Sequence, residues 1–461
     1  MFSKLKLPLR NVLRNRRRTL VTLITLAIGE IAMLIFGGYS NAVVNGVQTG
    51  VVRQAGHLQV QRTNYFMIGT GSPSDYGIAE YKQLMEILRN DPVLKPMLVV
   101  VTPLLQVQGI AGNFSEGVSR TVSGNGYIAH DQNQMRQWNE YHFPGEIRKI
   151  ALPEGEKEVL SIGIGVARGL RLCGQLSVPN CKDVTVRTKD DGPAAPPDIV
   201  ALADAQPAAA KKPGVRLDVL TAAVNGAPNV INARVAAAES LGVKEIDDGY
   251  LAMPLEMAQH LVYGRTSNPE VTSVILQLQS TTQIEVARQR VNELIKQHGW
   301  DLEVLDYAAL FPAYDQIKGL FNSIFGFVSM LIGVVVLFSV ANTMSTAVME
   351  RTVEIGTLRS MGVRRGGISR QFLTEGLLIG LIGTGVGCVL ALLCALGINS
   401  AGWTWTPPNS IDKIPLVVHV FNSPNLIAGS VVSLLVLAAI SSVLPAYRAA
   451  RIPVVEALRH V

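Results

Sequence analysis

Four stretches of this chain are apolar over lengths that dominate every other folding signal: residues 19–39 (TLVTLITLAIGEIAMLIFGGY), 320–349 with their core at 324–340, 372–398, which is rich in glycine, and 426–447 (LIAGSVVSLLVLAAISSVLPAY). Crossing a hydrocarbon core of roughly 30 Å takes about 20 apolar residues in a helix. Each run is long enough to span a membrane. The composition agrees, because 48% hydrophobic against 16% charged residues over 461 positions is too apolar for an ordinary soluble chain. The first run also has features of a cleaved signal peptide, with basic residues before it and Ser40-Asn41-Ala42 loosely resembling a cleavage site. Its apolar length exceeds the usual signal core of about 7 to 15 residues, which favours an anchor.

The net charge of +6 does not read as a nucleic-acid footprint, because the basic residues cluster beside the apolar runs. Lys4, Lys6, Arg10, Arg14, Arg16, Arg17 and Arg18 precede the first run with no acid among them. Arg351, Arg359, Arg364, Arg365 and Arg370 lie between the second and third, and Arg448, Arg451 and Arg459 follow the fourth. The segment between the third and fourth runs has only Lys413. The positive-inside rule then predicts a multi-pass membrane protein with both termini in the cytosol. The expected organisation is a basic amphipathic cytosolic segment at 1–18, spans at 19–40, 320–349, 371–398 and 426–447, an outer domain at 41–316, a cytosolic loop at 350–370, an outer loop at 399–425 and a cytosolic tail at 448–461.

Within 41–316, residues 57–61 (HLQVQ) and 97–108 (MLVVVTPLLQVQ) read as strands, and so do 273–278 and 302–305. Residues 81–89 (YKQLMEILR) and 283–298 (QIEVARQRVNELIKQH) carry apolar side chains at helical spacing. The fold class expected is four transmembrane helices plus a large α+β extracytoplasmic domain of two lobes, inserted between the first and second spans. Residues 182–214 are rich in Ala, Pro, Asp and Lys and poor in large apolar groups, which reads as a flexible insertion. Just before it, Cys173 and Cys181 (CGQLSVPNC) are a disulfide candidate if they face an oxidising compartment; the alternative is two free thiols. Cys388 and Cys394, inside the third run, read as small packing residues.

Catalytic patterns are missing from the sequence. No Walker A pattern, no Gly-Lys dipeptide, no HExxH and no paired CxxC occurs, and the seven histidines lack ligand spacing. Gly163, Gly165 and Gly169 (GIGVARG) have the wrong spacing for a phosphate loop and read better as a strand-to-helix turn. No enzyme active site, catalytic residue, metal site or cofactor is expected in this chain.

The loop 348–371 (VMERTVEIGTLRSMGVRRGGISRQ) is more informative. Glu350 and Glu354 are one helical turn apart, with Val353, Leu358 and Met361 as apolar anchors and Gly362 as a helix end. Such a short amphipathic helix suits docking into a partner's groove, although a solvated charged loop has the same spacing. In the third span Gly376, Gly380, Gly383 and Gly387 recur along one helical face, which permits close helix packing. Glu30 is an intramembrane polar residue that costs on the order of 3 kcal/mol if exposed to lipid, so it is expected to be protonated or paired. Trp403 and Trp405 read as interfacial anchors.

The runs ERTVEIGTLRSMG at 350–362 and QFLTEGLLIGLIGTGVG at 371–387, with PAYRAARIPVVEALR at 445–459 and LRNVLRNRRRTLVTLITLAIG at 9–29, resemble the permeases of the macrolide-export (MacB), lipoprotein-release (LolC/LolE) and FtsX-like group of ABC transporters. EVLSIGIGVARGLRL and residues 247–261 are similar, more weakly, to that family's outer domain. The resemblance implies a periplasmic MacB-like domain and a pairing with a second permease copy or a homologue. It further implies a cytosolic ABC ATPase, bound at Glu350, Arg351, Glu354, Ile355, Gly356, Leu358 and Gly362, which form a coupling helix. ATP and Mg would be held by that ATPase, expected on a separate chain. Work would pass mechanically to the outer domain, releasing a lipoprotein or other amphiphile from membrane lipid toward a periplasmic carrier. Export of a small molecule or peptide with an adaptor and outer-membrane channel, or regulation of a cell-wall hydrolase without transport, are the alternatives.

Overall fold

The computed structural model describes residues 16–143, 147–179, 181–183, 214–406 and 413–459. The basic segment at 1–15 and residues 184–213 of the expected insertion lie outside the described residues. The chain divides into two compact units, one made of Met1–Val47, Ala313–Trp405 and Pro415–Val461 and the other of Gln48–Pro312 with Thr406–Ile414.

The first unit is helical. Its framework comes from four long helices, Arg16–Ala55, Pro312–Glu350, Arg365–Ala401 and Pro424–Arg451. All four are long and apolar enough to cross a membrane. They are packed through a narrow face each: Leu26 and Leu34 on the first, Val336, Val340 and Met344 on the second, Phe372 and Ile379 on the third, Leu434 and Ala446 on the fourth are buried. Their outward faces stay apolar, with Val21, Ile28, Phe327, Phe338, Val389, Leu393, Val432 and Leu444 all exposed. Each such side chain forgoes about 1.5–3 kcal/mol of burial in water. Lipid tails remove that penalty, so a bilayer accounts for a bundle that is apolar on both sides of its helices.

The second unit is built on one nine-stranded sheet. Its strands are β1 (Leu58–Arg62), β2 (Leu98–Asn113), β3 (Val118–Tyr127), β4 (Val159–Gly163), β5 (Arg216–Ala222), β6 (Pro228–Glu239), β7 (Tyr250–Pro254), β8 (Ser273–Leu278) and β9 (Leu302–Asp306). The sixteen-residue β2 is shared between two arrangements. Its first half pairs antiparallel with β8, which pairs with β1, which pairs with β9. Helices Tyr81–Asn90 and Ile284–His298 follow β1 and β8, so the element order β-α-β-β-α-β with strand order β2-β8-β1-β9 is that of a ferredoxin-like split βαβ unit. Leu84, Leu88, Val291 and Leu294 bury the apolar stripes of the two helices in one core with Leu58, Val60, Val274 and Leu276.

The second half of β2 pairs with both β3 and β5, and the path β3-β7-β4-β6-β5 closes six strands into a ring. Only the β3–β7 and β4–β6 pairs are parallel. Leu105, Val107 and Ala111 on β2 bury alternate side chains, as the two-residue period of a strand requires. Gly126 on β3 allows a close approach, since a Cβ there would run into Ala258 of helix Leu255–Tyr263. The glycine-rich run beginning at Gly163 does follow a strand, β4, and opens the helix Ile164–Gly169. Beyond that helix Cys173 and Cys181 are joined by a disulfide, with their Cα atoms 5.4 Å apart.

Where the first long helix hands over to β1, Gly56 adopts φ +72° and His57 is fully buried. The His57 backbone N–H donates to Leu276 O and its carbonyl accepts from Tyr307 N, which fixes β1 between its neighbours. Its Nδ1 accepts the Leu278 N–H at 3.0 Å, and its ring meets Trp138 edge-on at 4.9 Å. Burial pushes the imidazole from 6.5 down to about 4, opposed only in part by the Glu140 carboxylate. As pH falls, the unfolded chain therefore takes up this proton first. His57 contributes its full stability above about pH 6.5 and loses on the order of 3 kcal/mol as pH falls to about 4. Denaturant titrations followed by tryptophan fluorescence should show this loss in the wild type and a flatter pH profile in His57→Gln; equal slopes in both proteins would exclude His57 as the source.

Candidate functional site at the short helix

The sequence around 350–362 folds as a joint. The second long helix closes at Glu350, and Arg351, at φ −111° and ψ 20°, breaks it. The Arg351 N–H still donates to Val348 O at 3.2 Å, while its carbonyl accepts from Ile355 N at 2.9 Å and so starts the next helix, Thr352–Ser360. That helix ends on Gly362 at φ +92°, where Gly362 N donates to Arg359 O and Val363 N to Leu358 O. This is a Schellman cap, and the left-handed residue it requires is the reason glycine stands there. The single helix expected from Glu350 to Gly362 is therefore corrected to two elements, with Glu350 on the first and Glu354 on the second.

The cause of the break is the Arg351 side chain, which turns inward. Its Nη1 donates to both carboxylate oxygens of Glu375 on the third long helix, at 3.1 and 3.0 Å. The side chains are 7% and 3% exposed. A buried pair of this kind is held tightly because either charge left alone would keep its full desolvation penalty.

Other contacts bind the joint to the remaining helices. Arg18 on the first long helix pairs with Glu350 at 2.8 Å. Arg359, near the end of the short helix, donates to the carbonyl of Ile452, which caps the fourth long helix. Ile355 and Gly356 are buried and Leu358 is half-buried. Ile355 shares a core with Met344, Val348, Ile368, Phe372 and Ala446. All four long helices thus have a contact within the segment from Glu350 to Arg359, and the face left outward carries Met349, Val353, Glu354 and Met361.

Further along the bundle, the four glycines of the third helix divide their work. Cβ atoms at Gly376 and Gly380 would meet Ser442 and Ala438 of the fourth helix; at Gly383 and Gly387 they would come 2.6 and 2.7 Å from the Cβ atoms of Leu26 and Glu30 on the first. Glu30 is fully buried and accepts from Ser430 Oγ at 2.7 Å. Of the two free cysteines among the described residues, Cys388 is partly buried, but Cys394 is exposed on the helix surface, which corrects its reading as a packing residue. Sequence reading missed Glu375, Arg359 and Ser430. The signal for Glu375 was present, since a lone carboxylate in an apolar run demands a partner. We predict that Gly383→Leu lowers stability by about 1–3 kcal/mol through overpacking against Leu26, whereas Gly385→Leu, at an exposed position with open space around it, changes little. Thermal unfolding of the two purified variants in the same detergent checks the contrast, and equal losses would refute the packing assignment.

A bundle of apolar helices whose ends meet on one short helix is the form of a membrane permease domain. Residues 324–454 match the FtsX-like permease C-terminal family. The chain is 28% identical over 228 residues to the macrolide export ATP-binding/permease protein MacB of Nitrobacter winogradskyi, covering 48% of this chain and 32% of that protein. It is 29% identical over 214 residues to the pyoverdine export ATP-binding/permease protein PvdT of Pseudomonas syringae pv. syringae, covering 46% and 30%. With the uncharacterized ABC transporter permease YknZ of Bacillus subtilis it shares 28% over 236 residues, 48% of this chain and 54% of that one. The chain thus spans about half or less of the length of these relatives. Together these matches support an FtsX/MacB-like ABC permease, the family its motifs resemble.

Proposed function

We propose that this chain is a mechanotransmitting permease subunit, in which a separate cytosolic ATPase docks on the outward face of the short helix and drives movements of a periplasmic domain. The observation that carries this reading is the meeting of all four long helices at the joint from Glu350 to Arg359, which leads into and includes most of the short helix. A force applied to that helix is passed to the spans through Glu350, Arg351 and Arg359. Met349, Val353 and Met361 supply an apolar contact surface and Glu354 a charge that sets its register on a partner. ATP and Mg belong to the ATPase in this reading, and the permease holds no cofactor of its own.

The proposed orientation places both termini in the cytosol at the bacterial inner membrane, supported by the basic residues beside the spans. The disulfide between Cys173 and Cys181 suits an oxidising periplasm for the second unit. Its split βαβ sheet and its six-stranded ring, joined by β2, are read as the two lobes of that domain. A second permease copy or a homologue completes the assembly. The work is needed because withdrawing a lipid chain from a bilayer costs about 0.8 kcal/mol per CH₂. The cargo of the first reading is a lipoprotein or similar amphiphile passed to a periplasmic carrier. Export of a small molecule or peptide through an adaptor is the second, favoured by the export names of the MacB and PvdT relatives.

Purification from native membranes in mild detergent, with mass spectrometry of everything retained, tests the proposal. An ATPase should co-purify with the wild type and be lost, at least tenfold, from the variant Val353→Asp/Met361→Asp. Acylated proteins or a lipid carrier alongside it identify the first cargo, and an adaptor identifies the second. A cell-wall hydrolase in place of both, or no ATPase at all, would overturn the transport reading.

A further inference from the structure

The ion pair beneath the short helix has a geometry that docking alone does not require. A coupling helix needs an outward face for its partner, and Arg351 and Glu375 contribute nothing to that face because both are buried. Arg351 is also the residue that ends one helix and starts the next, so its backbone sets the direction of Thr352–Ser360 while its side chain is tied to another span. Glu375 lies one position before Gly376, where the third helix presses on Ser442 of the fourth with no room for a side chain. Both ends of the tie are therefore seated in packed surroundings. A tilt of the short helix must pull on Glu375, and a shift of the third helix must turn Arg351.

We infer that Glu375 is a positioning residue for coupling, acting through Arg351 to make the short helix and the third span move as one body. The inference rests on the proposed docking of an ATPase at this helix and adds the regulation of that site. Arg359 on Ile452 O is a second tie, but it joins a side chain to a backbone carbonyl. The Arg351–Glu375 pair is the tie that a single carboxylate can release. Removing either charge takes from the other its charged partner, while exchanging both keeps a pair of the same kind in place.

The test uses the full permease reconstituted in lipid nanodiscs with the ATPase that co-purifies with it, comparing wild type, Glu375→Gln and the exchange Arg351→Glu/Glu375→Arg. Glu375→Gln is expected to retain the ATPase within twofold while permease-dependent stimulation of ATP hydrolysis falls at least tenfold. The exchange is expected to restore at least half of that stimulation. Spin labels at Ser360 and Leu377, both exposed, with Cys388 and Cys394 replaced by serine, should keep one sharp separation with and without ATP in the wild type and in the exchange, and a broadened one in Glu375→Gln. Full stimulation in Glu375→Gln overturns the inference. So does an exchange variant that is folded and retains the ATPase yet stays uncoupled; it also decides the matter if Glu375→Gln fails to fold. Failure of the wild type to retain any ATPase strikes the proposed function instead, and is read before the variants are compared.

Discussion

The end of the helical bundle is organised around one buried ion pair. Removing two charges from water costs several kcal/mol per ion, and the mutual attraction recovers that cost only with good geometry on both partners. Arg351 and Glu375 meet the condition through a nitrogen shared between two oxygens inside a packed apolar core. Everything nearby follows from the requirement to bring them together. The second long helix must stop at Glu350, because continuing it would carry residue 351 around the helical surface on another path. The short helix must begin at once, since the Arg351 carbonyl supplies its first hydrogen bond. Gly362 then has to reverse the chain so that the third helix can return Glu375 to the same depth.

The second unit solves a different problem, which is to join two sheet arrangements without a flexible connection. A strand has two edges, so one strand can serve two neighbours at each point along its length. By running for sixteen residues, β2 gives its first half to the split βαβ sheet and its second to the ring. A closed ring has no exposed edges to invite unwanted pairing. The β1 strand is anchored separately through His57, a histidine used as a neutral hydrogen-bond acceptor and aromatic partner rather than as a ligand. That use demands burial, and burial is what makes the contact sensitive to acid.

Much of this was legible in the sequence, and the parts that were not have physical reasons. The four long helices announce themselves by apolar length, which no competing interaction overrides in lipid. The strand β8 and the start of β2 carry compact apolar runs, while β1 (LQVQR) and β9 (LEVLD) place apolar residues between polar ones, and all four fall where the sequence reading put strands. Two of the ring strands, β3 and β6, were not legible. β3 (GVSRTVSGNGY without its first glycine) and β6 (PNVINARVAAAE) are poor in large apolar side chains, because glycine and alanine suffice where neighbouring backbones approach closely. Residues 350–362 were read as a cluster but given one helix instead of two. A break is hard to read when the residue that causes it, Arg351, answers to a carboxylate twenty-four positions away.

Glu30 and Glu375 show why a partner matters more than the presence of a carboxylate. Both are buried, and both interrupt an apolar run. Glu30 receives a neutral hydroxyl from Ser430 at one oxygen, and its other oxygen has no hydrogen-bond partner among the described residues. The Ser430 hydroxyl brings no charge of its own, so this contact joins the first helix to the fourth without the ion-to-ion attraction of the Arg351–Glu375 pair. It also sits beside Gly387, where the first and third helices touch. Glu375 receives a full positive charge across both oxygens. The bundle therefore has one end where the segment before the short helix is held by an ion pair, and farther along the spans a polar contact held by a hydroxyl. Under the proposed function, force entering at the charged end would move the helices together and the hydroxyl contact would leave them room to rearrange against one another, a division of strength that suits transmission of motion rather than a fixed enclosed site.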